Sequence, residues 1–195
     1  CIYNPLNKKE ILYNSKKKIN LNLLKQKNKF KILNIGRFTD QKDHYTLLKS
    51  AKILRDKYNL NFVLIIMGRG KNEKNIKNFI KRNNLSQNVK VIGFKTNPYK
   101  FIRYCDLFVL SSRFEGLPNV LLEAITLKKF IISSNCPTGP SEILNNGKGG
   151  LLFKTGNQYD LAKKIVYYYN NKKLLNKKIN FAYKNLYRFD YNNNL

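Results

Sequence analysis

The sequence predicts an α/β protein built on a parallel sheet with helices on both faces. Three observations predict it. Phe62-Val63-Leu64-Ile65-Ile66-Met67 is an unbroken apolar run closed by Gly68, the pattern of a strand buried on both faces. Short apolar runs alternate with amphipathic stretches from Phe30 onward. Several runs end at a glycine (Gly36, Gly68, Gly93), where a chain leaving a strand must turn sharply.

The elements follow in order. Residues 1–29 are Lys- and Asn-rich around a short extended piece, Ile2–Leu6, and read as a linker or interdomain crossover. Lys31–Ile35 is a short strand. Residues 43–58 place Tyr45, Leu48, Ala51, Ile53, Leu54 and Tyr58 at helical spacing. Residues 72–84 form a polar helix, 89–92 a strand, 98–104 a short helix and 107–110 a strand. A helix starts near Pro118. A strand at 130–133, a short helix at 140–145 and a strand at 151–153 follow, then helices over 158–170 and 172–188. Residues 30–170 are read as one ligand-binding domain and 171–195 as a C-terminal helix and tail.

The chain has 195 residues, enough for one α/β domain with a real core. Its net charge is +27. Such an excess suits an anionic partner: nucleic acid, a membrane surface or phosphates. The lysines are spread along the chain, however, so most of the charge reads as compositional drift. A nucleic-acid module would interleave aromatic and basic residues on one face, and no such pattern is seen. The three cysteines, Cys1, Cys105 and Cys136, lack the spacing of a redox or zinc motif, which suits a reduced, cytoplasmic compartment. No apolar run reaches the ~20 residues of a membrane span, and no metal-ligating cluster is visible.

In parallel sheets, ligands bind beyond the carboxyl ends of the strands. Four loops lie there. In the first, Gly36–Lys42, Arg37 and Lys42 place two cations beside a helix N-terminus, an anion site by charge and by exposed N–H groups. The second, Gly68-Arg69-Gly70-Lys71, lacks a full phosphate-loop pattern and reads as a tight turn.

The third, Ser111–Leu127, carries the most chemistry. Pro118 suits the first turn of a helix. Glu115 precedes that helix, and Glu123 falls inside it among Leu121, Leu122, Ala124 and Ile125. A carboxylate among such neighbours is costly unless something donates to it, and a ribose diol supplies two O–H donors. Glu115 can accept from sugar hydroxyls. The N–H groups of Leu117, Asn119 and Val120 can meet a pyrophosphate. The alternative is a capping carboxylate plus a glutamate paired to a buried lysine. In the fourth loop, Asn135–Leu144, Glu142 reads as a structural acceptor. His44, the single histidine, stands at a helix start and reads as a surface residue.

Glu115 and Glu123, separated by seven residues that include Gly116-Leu117-Pro118, resemble the paired-glutamate motif of the retaining glycosyltransferases of family four, of GT-B fold. Gly36-Arg37 with Lys42 is similar to that family's phosphate loop. Ser134–Leu144 resembles the branch that builds bacterial surface polysaccharides, capsules, lipopolysaccharides and lipid-linked glycans. The resemblance spans about residues 30–170.

It implies the Rossmann-like, C-terminal donor half of a GT-B fold, with the N-terminal domain absent from this chain. It implies a nucleotide-sugar donor, UDP-linked by the branch, no separate cofactor or metal, and a glycan or lipid-linked acceptor. Arg37 and Lys42 would hold the diphosphate, Glu115 the donor sugar and Glu123 the ribose. Gly36, Gly116, Leu117, Asn119 and Val120 would line the donor, and the backbone at Phe94-Lys95 would meet the base. Retention would follow from same-face attack. The isolated domain would bind donor without turnover. It would work in the cytoplasm, peripheral to the anionic inner membrane face. A GT-B epimerase or phosphorylase shares the fold and stays open, as does the basic nucleic-acid module.

Overall fold

The computed structural model describes residues 6–18 and 28–189. Six parallel strands form one sheet: β1 Phe30–Ile35, β2 Phe62–Met67, β3 Val89–Ile92, β4 Leu107–Leu110, β5 Phe130–Ser134 and β6 Leu151–Phe153, in the order β3-β2-β1-β4-β5-β6. The helices are α1 Lys8–Ser15, α2 His44–Asp56, α3 Glu73–Arg82, α4 Tyr99–Tyr104, α5 Asn119–Thr126, α6 Pro140–Ile143, α7 Gln158–Asn170 and α8 Lys172–Lys184. Among the described residues no helix is long and apolar enough to cross a membrane.

Helices cover both faces, as the sequence predicts. Apolar residues from alternate strand positions point to opposite sides. Ile32, Leu64 and Ile66 meet Leu47, Leu48, Leu54, Leu161 and Ile165 from α2 and α7 on one face. Leu33, Val63, Ile65 and Phe108 meet Phe101, Leu121, Leu122 and Ile125 from α4 and α5 on the other. Every residue of β2 is at most 1% exposed, the direct consequence of its unbroken apolar run.

Three elements depart from expectation. Lys8–Ser15 is a helix inside the stretch read as a linker. The Asn7 side chain caps it by accepting from the Glu10 N–H at 3.1 Å, and Ile11 is buried against the domain. The last helix ends at Lys184 and tightens into a 3-10 turn, Asn185–Phe189, whose Leu186 and Phe189 enter the core. The short helix after β5 stops at Ile143. Of the expected crossover Ile2–Leu6 only Leu6 lies within the described residues, and Cys1 and the tail beyond Phe189 lie outside them.

The strand order reverses between β1 and β4. Successive crossovers there run in opposite directions, leaving a crevice beyond the carboxyl ends of the two strands. Their ladder is short, with Ile32 opposite Leu107 and Leu33 opposite Phe108. Past it, Asn34 Nδ2 donates across the gap to Val109 O at 2.9 Å. The loops that leave β1 and β4 at this crevice are the first and third loops singled out in the sequence.

Candidate functional site

The β1 loop runs from Gly36 through a 3-10 turn, Asp40–Lys42, into α2. Asp43 joins the two with φ 43°, a left-handed conformation that aspartate tolerates. Its carboxylate then caps α2, accepting from Thr46 N–H at 3.2 Å and Thr46 Oγ1 at 2.8 Å. The β4 loop lies alongside. Arg113 N–H donates to Gln41 O at 2.8 Å, Gln41 Nε2 to Phe114 O at 3.0 Å, and Ser111 Oγ to Lys42 O at 2.9 Å.

These contacts bring Lys42 onto Glu115. Lys42 Nζ lies 2.5 Å from Glu115 Oε1, with side-chain exposures of 16% and 6%. Ser112 Oγ donates to the same oxygen at 2.5 Å. Among the described residues, Glu115 Oε2 carries none of these bonds. The β5 loop supports the other side. Thr138 Oγ1 donates to Glu115 O, and Ser134 Oγ to Ser112 O at 2.6 Å. Gly139, at φ +60°, packs on Gly116, and a Cβ there would lie 1.9 Å from Gly116 O. Glycine is therefore required, and Glu115 is clamped between two loops.

Gly116 leads through Leu117 and Pro118 into α5. The first backbone bond of that helix runs from Leu121 N–H to Pro118 O at 2.9 Å. The amides of Asn119 and Val120 precede it and belong to the first turn that a helix cannot satisfy internally.

A second group forms one cavity. Ile35, Gly36, Arg37, Met67, Gly68, Arg69, Phe94, Lys95 and Pro98 line a pocket of about 360 Å³ beyond the ends of β1, β2 and β3. The structure thus brings together Gly36, Arg37, Phe94 and Lys95, all expected from the sequence. It adds Gly68 and Arg69, which the sequence read only as a turn. The close approach of the β1 and β2 loops depends on glycine, because a Cβ on Gly68 would lie 1.9 Å from Gly36 O.

Glu123 stands apart from that cavity. It lines a neighbouring pocket of about 150 Å³ with Leu6, Asn7, Glu10 and Ile11 from the N-terminal segment, and with Tyr99, Asn119 and Leu122. Pro98 lines the first cavity and its neighbour Tyr99 the second. Burial pushes the Glu123 carboxyl up to about 7. No hydrogen-bond donor reaches it among the described residues. Glu123 is half-buried and its carboxylate lines the pocket, so a diol entering there can donate to it.

His44 corrects an expectation. It is 3% exposed, not a surface residue, and packs edge-on against Phe38 with ring centroids 5.2 Å apart. The left-handed turn at Asp43 directs it inward, under the loop. Burial pushes it down to about 4, with Lys42 adding to the effect and Asp43 opposing it. Neither ring nitrogen finds a protein partner among the described residues. Glu142 is exposed, and its backbone carbonyl accepts from Arg188 Nη2 at 3.1 Å.

A switch-point crevice holding a clamped glutamate and first-turn helix amides, next to a cavity lined by Arg37, Arg69 and Lys95, gives the carboxyl edge of this α/β sheet an arrangement suited to an anionic ligand. The family described as glycosyl transferases group 1 matches residues 15–185, and the chain belongs to it. Its sheet is the C-terminal half of a GT-B fold. It is 30% identical over 184 residues to a Campylobacter jejuni N-acetylgalactosamine-N,N'-diacetylbacillosaminyl-diphospho-undecaprenol 4-alpha-N-acetylgalactosaminyltransferase, covering 90% of this chain and 47% of that one. A Staphylococcus aureus TarM variant, solved with Fondaparinux, alpha-GlcNAc-glycerol and UDP, matches 85% of this chain and 34% of its own at TM-score 0.78 and 26% identity. Anabaena HepE shares the fold at TM-score 0.84 and 21% identity, over 99% of this chain and 54% of its own. The chain spans less than half the length of the curated relatives it matches first.

Proposed function

We propose that this domain holds the nucleotide-sugar donor, a UDP-sugar, of a retaining glycosyltransferase that extends a surface glycan or lipid-linked saccharide. The observation that carries the reading is the convergence of Gly36-Arg37, Gly68-Arg69 and Phe94-Lys95 on one strand-end cavity beside the clamped Glu115. Arg37 faces the diphosphate. Lys42 shares its charge between the diphosphate and Glu115. It thereby fixes the carboxylate whose Oε2 accepts from donor-sugar hydroxyls. The amides of Leu117, Asn119 and Val120 complete the anion site at the helix mouth, where the dipole favours negative charge. Glu123 accepts from the ribose.

The family favours transfer over epimerisation or phosphorolysis. The UDP found in the TarM variant supports the base, and the undecaprenol-linked substrate in the name of the Campylobacter relative supports a lipid-linked acceptor. The net charge of +27 would hold the domain at an anionic membrane face in the cytoplasm. The acceptor is assigned to the N-terminal half of the GT-B fold.

Calorimetric titration with UDP and UDP-sugars, on the wild type and on Glu123→Ala, tests the reading. The variant should lose about 1.5–3 kcal/mol, the worth of hydrogen bonds to a charged acceptor. Equal affinity in both proteins would overturn the ribose assignment.

A further inference from the structure

Arg69 received no role from the sequence, and its register gives it one. In the last paired row of the sheet's β1-β2-β3 half, Ile35 lies opposite Met67 and Met67 opposite Ile92. Two residues beyond, the same count reaches Arg37, Arg69 and Phe94. The loops keep that alignment after the strands end. Gly36 N–H donates to Met67 O at 3.0 Å, and Phe38 N–H to Arg69 O at 2.9 Å, so Arg37 is flanked by bonds to the β2 loop. Neighbouring parallel strands lie about 4.8 Å apart. The three side chains therefore stand in one row, and all three line the 360 Å³ cavity.

The row is chemically graded. Phe94 offers an exposed aromatic face at one end. The Arg69 guanidinium lies over that ring, 5.0 Å from its centroid, a stacking geometry that leaves the edge donors of the fork available. Arg37 stands at the other end. Neither arginine has an acidic partner among the described residues. Lys42, by contrast, is held by Glu115 at 2.5 Å. Two guanidinium groups without acidic partners line one cavity, which suits a ligand carrying two adjacent negative charges, and each presents the planar fork suited to phosphate oxygens.

We propose that Arg69 is the second diphosphate-binding cation of this site, paired with Arg37, and that it also buttresses Phe94 beneath the base. The row Phe94–Arg69–Arg37 thereby spans a nucleoside diphosphate from base to phosphates. This inference rests on the nucleotide-sugar reading and adds to it a residue outside the expected Arg37–Lys42 pair.

The test is calorimetry of the full 195-residue chain with uridine, UMP and UDP, on the wild type, Arg69→Gln and Arg69→Lys. Arg69 is exposed, so both variants should fold, and circular dichroism verifies it. Arg69→Gln should weaken UDP about 10-fold or more, the loss of one charged contact, while weakening uridine by no more than about 3-fold. Arg69→Lys should recover part of the UDP loss. Unchanged UDP affinity in Arg69→Gln, or equal losses for uridine and UDP, would overturn the phosphate role while leaving the nucleotide reading standing. No binding of UDP to the wild type would overturn both.

Discussion

Lys42 Nζ and Glu115 Oε1 meet at 2.5 Å across the crevice where the strand order reverses. The pair joins the β1 loop to the β4 loop and is nearly withdrawn from water, so each charge depends on the other. Exposed ion pairs contribute little, but removing one partner of a buried pair leaves the other uncompensated.

Glu115→Gln and Lys42→Met should each lower stability by about 2 kcal/mol, read from urea unfolding. The double variant should lose clearly less than the sum, because it leaves no orphaned charge. Additive losses would show that the pair is not coupled. With the fold intact, Glu115→Gln should also weaken a UDP-sugar more than UDP, since only the former presents sugar hydroxyls.

Glu123 makes nucleotide affinity depend on pH. Its carboxyl is raised from 4.5 to about 7 by burial. The folded state therefore holds its proton more tightly than the unfolded chain. This group's contribution is most favourable below pH 4.5 and is lost as pH rises through 7, by about 3 kcal/mol. A ribose diol prefers the ionised acceptor, so affinity for a UDP-sugar, whose diphosphate carries no terminal phosphate to titrate, should rise between pH 6 and 8. Glu123→Gln should flatten both dependences. A wild-type affinity that is level across that range would contradict the assignment.

His44 acts in the opposite sense. Burial lowers it from 6.5 to about 4, so the unfolded chain binds the proton first. Stability from this group is full above pH 6.5 and falls as pH drops through 4, by about 3 kcal/mol. His44→Phe keeps a ring against Phe38 and removes both unpaired nitrogens. Its stability should be less acid-sensitive than wild type in thermal melts at pH 4–6.5. The windows of His44 and Glu123 overlap with opposite sign, so each is isolated by comparing its own variant with wild type.

The sheet was legible because burial on two faces leaves a direct mark on sequence. The run Phe62–Met67 and the helix at 158–170 match their predicted bounds. Other features depend on contacts that no local pattern records. Helix α1 buries Ile11 and the polar Ser15, so its apolar spacing is faint, although Asn7 with Glu10 three residues on is a capping signal that marks it. His44 misled because a helix start is ordinarily exposed, whereas the left-handed turn at Asp43 rolls it under the loop. The motif residues were visible, but the Lys42–Glu115 pairing spans 73 positions. The row of Arg37, Arg69 and Phe94 emerges only once strand register is known.

Amide chemical-shift mapping of the 22.9 kDa chain with UDP tests the central claim most directly. Shifts should concentrate in Gly36–Lys42, Gly68-Arg69, Phe94-Lys95 and Gly116–Val120, the loops at the carboxyl edge of the sheet. Shifts confined to other surfaces, such as the basic groove of Lys49, Lys52 and Lys57 beside Tyr159, or no shifts at millimolar UDP, would contradict it.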